Sequence, residues 1–220
     1  MTMKRDLSPL AVPSGTSRDR ILSAAKALFA SKGFESTSTV AIARLAGTSE
    51  SQLVKHFHNK EGLLEAIFDS AWQKLMWTVG QAGSSLPSPH LKLLSLVETA
   101  LAALDRDPEV KFLMLLEGRR PRKDGQRVGL DHGFMEFVKR IDQILMEMLN
   151  AGQLRKDLSI QVVRSALLGA TEGLLRDQLI AKRMEYPAKY NASEVRQAFN
   201  VLLSAFMTPS NNGRKKPSRT

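Results

Sequence analysis

The sequence predicts an all-α protein, and three observations carry that expectation. Apolar residues recur at spacings of three and four along most of the chain. Nowhere do they alternate in the two-residue rhythm of a half-buried strand. Ser, Thr, Asn and Gly fall where one periodic run stops and the next begins, which are the positions of helix caps. The pattern yields about nine helices, a small N-terminal trio and then a larger bundle. A chain of 220 residues is enough for one domain or two small ones.

Composition narrows the chemistry. With no cysteine, disulfides and cysteine metal sites are excluded. No apolar run is long enough to span a bilayer, and the polar start carries no signal-peptide pattern. A cytoplasmic protein with no membrane partner is therefore expected. The formal net charge of +10 favours polyanionic partners, although part of it sits in the C-terminal tail.

In chain order, 1–16 has little to bury and reads as a disordered arm, solvated or lending Lys4 and Arg5 to phosphates. Thr16 and Asp19 have capping-box spacing and open a helix that buries Ile21, Ala25, Leu28 and Phe29. Gly33 closes it as a left-handed C-cap, and Phe34 can fold back on that face.

The stretch 38–57 organises the rest. Thr37 or Ser38 caps a short helix that carries Val40, Ile42, Ala43 and Ala46 inward. Gly47 breaks it. Ser49 then caps a second short helix with Gln52 placed to reach back, and Leu53, Val54 and Phe57 supply its apolar face. Two short helices joined by a tight glycine turn are a helix-turn-helix, which offers its second helix to the DNA major groove. The hydroxyls and free N–H groups at Thr37 and Ser38 suit a phosphate as well as a cap.

Asn59 caps a linking helix over 60–79 with an apolar stripe from Leu63 to Val79, and 80–89 reads as a loop. Further helices are expected over 90–104, from Pro108 through Leu116, over 131–150 up to Gly152, over 159–183 and over 191–207. The basic run 118–129 reads as a solvated loop and 208–220 as a frayed basic tail.

At this point the residues resemble a known family. Ile21, Ala25, Leu28-Phe29, Gly33-Phe34, Thr37-Ser38, Ile42-Ala43, Ala46-Gly47-Thr48-Ser49, Leu53, His56-Phe57, Lys60-Glu61 and Leu63-Leu64 are similar to the signature of the tetracycline-repressor (TetR) family. The stretch from Ala151 to Leu158 (A-G-Q-L-R-K-D-L) also looks like a family feature. The resemblance implies a homodimeric transcriptional regulator, usually a repressor. Each N-terminal domain would read half of a palindromic operator on double-stranded DNA. An unidentified small-molecule effector in the C-terminal bundle would swing the linking helix. The implied division is a DNA-binding domain over 17–62 and a ligand-binding and dimerisation domain over 63–207.

Carried over position by position, Glu50, Ser51 and Gln52 face base edges or phosphates, while Lys55, His56, Lys60 and Thr39 lie near the DNA backbone. Ser49 opens this reading helix. The chain departs from the family pattern at Val54, where Tyr is usual, and at Ser51, often Gly. Taken by itself, Gln52 can pair with adenine or serve Ser49 as a cap partner. Glu50 either reads cytosine N4 or turns away from phosphate.

Ala166, Gly169, Ala170 and Gly173 place small residues in mid-helix, where each glycine costs about 1 kcal/mol relative to alanine. Close approach of another helix compensates, from the chain's own last helix or a symmetry mate, and a four-helix dimer interface fits. Trp77, Phe112, Met114, Phe134, Phe137 and Met146 either line an apolar ligand pocket or form plain core. Glu172 is its polar candidate, against an interface carboxylate.

No catalytic residue, metal ligand set or cofactor motif is expected. Ser23 and Lys26 have S-x-x-K spacing without partner motifs, and His56 with His58 lacks a third ligand. The competing readings are a nucleoid-type DNA binder without ligand control, and a ligand-binding or interaction protein with weakened DNA binding.

Overall fold

A computed structural model describes residues 15–83, 86–117, 132–182 and 184–209. The expectations for the arm before residue 15, the basic run 118–129 and the tail from 210 lie outside these residues. Among the described residues there are nine α-helices. They are α1 (Ser17–Lys32), α2 (Thr39–Leu45), α3 (Glu50–Phe57), α4 (Lys60–Gly83), α5 (Pro89–Arg106), α6 (Pro108–Phe112), α7 (His132–Asn150), α8 (Ile160–Ala181) and α9 (Ala192–Phe206). A π-helical turn, Leu113–Glu117, follows α6. Among the described residues, strand-type pairing is confined to one isolated bridge between Leu154 and Met207, and none of their helices is long and apolar enough to cross a membrane. The expected all-α class is what the chain adopts.

The residues group into two compact units, one drawn from 1–81 and 99–137 and the other from 82–98 and 138–220. In the first, local chemistry sets each helix end. Thr16 Oγ1 accepts the Asp19 N–H at 3.2 Å, and the Asp19 carboxylate accepts from the Thr16 hydroxyl at 2.7 Å and its N–H at 3.2 Å. Those bonds hold the Asp19 carboxyl below the usual carboxylate range. Gly33 has the positive φ expected of it (+88°), but its ψ of 155° is extended rather than left-handed helical. The turn thereby brings Phe34 back onto Phe29, ring centroids 5.0 Å apart.

One core joins these helices. Ile21, Ala25 and Phe29 of α1, Ile42 of α2, Leu53 of α3 and Leu63 and Leu64 of α4 are all completely buried. Two apolar residues expected inside are not: Val40 is 59% and Val54 46% exposed. Val40 stands two residues from Ile42, so it faces the opposite side of its helix, and Val54 lies about 100° round from Leu53. The same core takes in Val110, Phe112 and Leu113 from α6 and the π-turn. Asp107 fastens that corner, capping α6 through the Val110 N–H at 3.1 Å and pairing with Lys26 Nζ of α1 at 2.7 Å.

Asn59 Oδ1 accepts the Gly62 N–H at 2.7 Å and starts α4. This helix runs past its expected end at residue 79, and its 24 residues span about 36 Å. Trp72 stacks against Phe134 (5.7 Å) and Phe137 (5.3 Å). A Cβ on Gly133 would fall 2.4 Å from Trp72 Cβ, so only glycine permits that approach.

In the second unit α7 ends at Gly152 (φ +69°), whose N–H and that of Gln153 return to Leu149 and Met148 carbonyls. This Schellman closure satisfies two orphan acceptors. It turns the chain so that Leu154 is buried and bridges to Met207. Ser159 caps α8, and Asn191 with Glu194 forms a capping box on α9. Val163, Leu167, Thr171, Leu175 and Leu179 make the inward row of α8, with Val195, Phe199 and Leu203 that of α9. The connecting segment is tied to α8 through Tyr190, whose hydroxyl donates to the Leu174 carbonyl at 2.8 Å, and burial raises the Tyr190 pKa.

Candidate nucleic-acid interface

The helix pair α2–α3 is positioned by its glycine turn and its caps. Gly47 (φ +60°) and Thr48 donate to the Arg44 and Ala43 carbonyls at 3.2 and 3.0 Å, again a Schellman closure. Ser38 caps α2 through the Ala41 N–H at 3.2 Å. Ser49 caps α3 through the Gln52 N–H at 3.3 Å. The return bond from the Gln52 side chain, which would complete a capping box, is not formed among the described residues. The Ser51 hydroxyl instead pairs with the capping side chain itself, 2.8 Å from Ser49 Oγ.

With Leu53 and Phe57 locked in the core, α3 turns Glu50, Ser51, Gln52, Val54, Lys55 and His56 outward, all exposed. The Thr39 hydroxyl donates to the Glu50 carboxylate and clips the start of α2 to the start of α3. Glu50 is therefore engaged within the protein. No hydrogen bond or ion pair among the described residues occupies the Lys55 ammonium, whereas three other cations of this unit are engaged. Arg20 donates to the Ala46 carbonyl at 3.0 Å, Arg18 lies over the Phe57 ring at 5.3 Å, and Lys60 donates to the Phe34 carbonyl at 2.9 Å. Lys60 also lies over the Phe34 ring at 4.4 Å, fixing α4 to the turn after α1. Thr37 corrects an expectation. It is 3% exposed and its hydroxyl donates inward to the Gly33 carbonyl at 2.8 Å, which takes it away from any phosphate.

At the junction between α3 and α4 the sequence signals the Asn59 cap but not the backbone turn before it. His58 adopts φ +64° and ψ −54°, and the Asn59 N–H returns to the Phe57 carbonyl at 2.7 Å. This is a positive-φ γ-turn, a strained connection for a residue with a Cβ. Gly62 packs beneath it, where a Cβ would meet the Phe57 carbonyl oxygen at 2.4 Å. The reading helix and the linking helix thus meet at a stiff corner.

The residues expected around a ligand are divided between the two units. Phe112 is buried in the N-terminal core and Met114 packs against that core, because α6 inserts there. Phe134 and Phe137 surround Trp72. Trp77 is 70% and Met146 44% exposed, since each points away from its helix's buried row, so neither faces an enclosed space. Glu172 is half-buried on α8 in the other unit. The small residues behave differently. A Cβ on Gly169 would meet nothing within 4 Å, and one on Gly173 only Arg176 Nη2 at 4.0 Å. The chain's own last helix does not approach these glycines. With Val162 exposed, Ala166, Gly169 and Gly173 form an open, shallow face on α8.

Comparison with known proteins points the same way. Residues 21–67 match the model for bacterial regulatory proteins of the tetR family, and residues 68–205 match the C-terminal region of YsiA-like proteins. The chain is 25% identical to the HTH-type transcriptional regulator UidR of Escherichia coli over 160 residues, 73% of this chain and 80% of that protein. It is 25% identical to the nucleoid occlusion factor SlmA of Vibrio atlanticus over 193 residues, 86% and 94% of the two chains. In fold it is similar to the transcriptional regulator FadR from Bacillus subtilis, solved in complex with stearoyl-CoA. That match has a TM-score of 0.71 at 18% identity and covers 83% of this chain and 94% of that one.

Proposed function

Since this chain belongs to the tetR family of bacterial regulatory proteins, a DNA-binding helix-turn-helix transcriptional regulator, we propose that it is an operator-specific repressor. It acts as a homodimer and is released by a small molecule. The observation that carries this reading is α3, with Leu53 and Phe57 sealed in the core and the side chains of Gln52, Lys55 and His56 exposed with no protein bond among the described residues. Such a face suits the major groove, where base edges and phosphates supply the missing partners. The division of labour is a reading head over 17–62 and an effector and dimerisation part over 63–207. Ser51 and Gln52 read base edges, while Lys55, His56 and Ser38 contact phosphates. Thr39 and Glu50 brace the two helices, and Lys60 orients α4 from its place on the Phe34 carbonyl. Two reading heads are held at fixed spacing by the small-residue face of α8, including Ala170, packed against its symmetry mate. An inverted repeat is the DNA such a dimer reads.

The effector class to test first is a long-chain acyl-CoA. Support comes from the similarity in fold to FadR of Bacillus subtilis, which was solved in complex with stearoyl-CoA. A second reading, a nucleoid-type DNA binder, is favoured by the long match to SlmA. Selection of the protein on a random duplex library, with stearoyl-CoA added to the recovered complexes, separates them. The repressor reading expects one enriched inverted repeat, weakened by the acyl-CoA. Equal recovery of all sequences, with a steep salt dependence, favours the nucleoid reading. Recovery of no DNA overturns both.

A further inference from the structure

Two of the large apolar side chains left exposed lie on the reading helices: Val54 at 46% on α3 and Val40 at 59% on α2. Val54 stands at the edge of a polar surface. Ser51 and Lys55, at i and i+4 of α3, lie opposite Leu53 and Phe57, and Val54 at i+3 from Ser51 stands between Ser51 and Phe57 on the helix surface. The core does not need Val54, because Leu53 and Phe57 fill the inner face. A hydrogen-bonding residue at that position would serve a phosphate or a base edge, and valine serves neither. Duplex DNA offers one matching apolar group in the major groove, the C5-methyl of thymine, which apolar side chains contact in base readout.

We infer that Val54 is a specificity-determining residue that selects thymine in each half-site by packing on its C5-methyl group. The inference rests on the operator-binding reading and deepens it: hydrogen bonds at Ser51 and Gln52 are joined by one methyl contact per half-site. Val40 has a different role. It lies in the first helix of the pair, which crosses the DNA backbone rather than entering the groove. Its exposure therefore carries no base preference.

The test uses the full-length protein and the inverted repeat recovered by selection. Each thymine is replaced in turn by uracil, which removes the methyl and leaves every hydrogen-bonding group in place. Wild type should lose affinity at one thymine per half-site, about fourfold for each, as expected for one buried methyl. The Val54→Ala variant should bind the thymine and uracil operators equally. The Val40→Ala variant should keep the wild-type ratio between them. Val54 is outside the core, and a thermal melt of each variant establishes that it is folded. Tight operator binding by wild type with no response to uracil at any position overturns the methyl contact and leaves the repressor reading intact. The same is true if Val54→Ala responds to uracil as strongly as wild type. Failure of wild type to enrich any operator overturns the reading beneath it as well.

Discussion

The helix pairs α2–α3 and α8–α9 are built alike and finished differently. Each has serine or asparagine caps and one buried row of apolar residues. Exposed on α2–α3 are Ser51, Gln52, Lys55 and His56 with Val40 and Val54 among them, whereas exposed on α8–α9 are Val162, Ala166, Gly169 and Val201 beside polar residues such as Gln161, Gln197 and Asn200. A surface of donors and cations is content in water and gains from a polyanion. A shallow surface of small and β-branched residues gains little from water and fits another helix at close range. The contrast teaches that burial alone does not say what an element is for. The chemistry left outside does.

The comparison can be broken or sharpened by experiment. The largest effect is expected from Phe29→Ala. This completely buried ring belongs to the core that α2 and α3 share, and its loss should cost about 3–5 kcal/mol in denaturant unfolding. Next is Gly169→Leu, which meets nothing in the protomer but fills the outer face of α8. Helix content should survive while sedimentation reports monomers, and operator affinity should fall roughly a hundredfold as the link between the two heads is lost. An intact dimer would move the interface elsewhere.

Smaller changes probe the polar face. Gln52→Ala should relax preference at one base pair by about 1–3 kcal/mol. Lys55→Ala should instead weaken all sequences alike and lower the salt slope by about one. A selection repeated with each variant distinguishes these outcomes. The smallest effect belongs to the α1 cap, where Thr16→Ala should cost about 1 kcal/mol. Because the Asp19 carboxyl is held below its ordinary range by Thr16, its contribution is present at neutral pH. That contribution fades as pH falls through and below the carboxylate range. The difference between wild type and Thr16→Ala should therefore narrow in acid melts to what the Thr16 Oγ1 cap on the Asp19 N–H contributes.

Much of this was legible in the sequence because it is local. Thr16 with Asp19, Ser38, Ser49, Asn59, Ser159 and Asn191 marked helix starts, and Gly47 and Gly152 marked closures, since caps are satisfied within a few residues. What escaped is non-local or contrary to periodicity. Val40 and Val54 match the helical rhythm as well as core residues do, and only the filled inner face turns them outward. Nothing near Phe112 announces that it packs under α1, and no glycine flags the positive φ at His58. Thr37 looked like a surface cap until its hydroxyl was seen to be used inside. For the reading helix, the face pointing outward was foreseeable while the partners of Glu50 and Lys60 were not.

The central claim is that two copies set two α3 helices at the spacing of one DNA turn. The sequence contains no cysteine, so Ser31→Cys admits a single spin label per chain, at an exposed position of α1 outside the residues assigned to base edges. Dipolar spectroscopy on the operator-bound protein should give one narrow label-to-label distance, fixed by half-sites one helical turn, roughly 34–36 Å, apart. Absence of any dipolar modulation, or an identical distance distribution on scrambled DNA, would contradict the account.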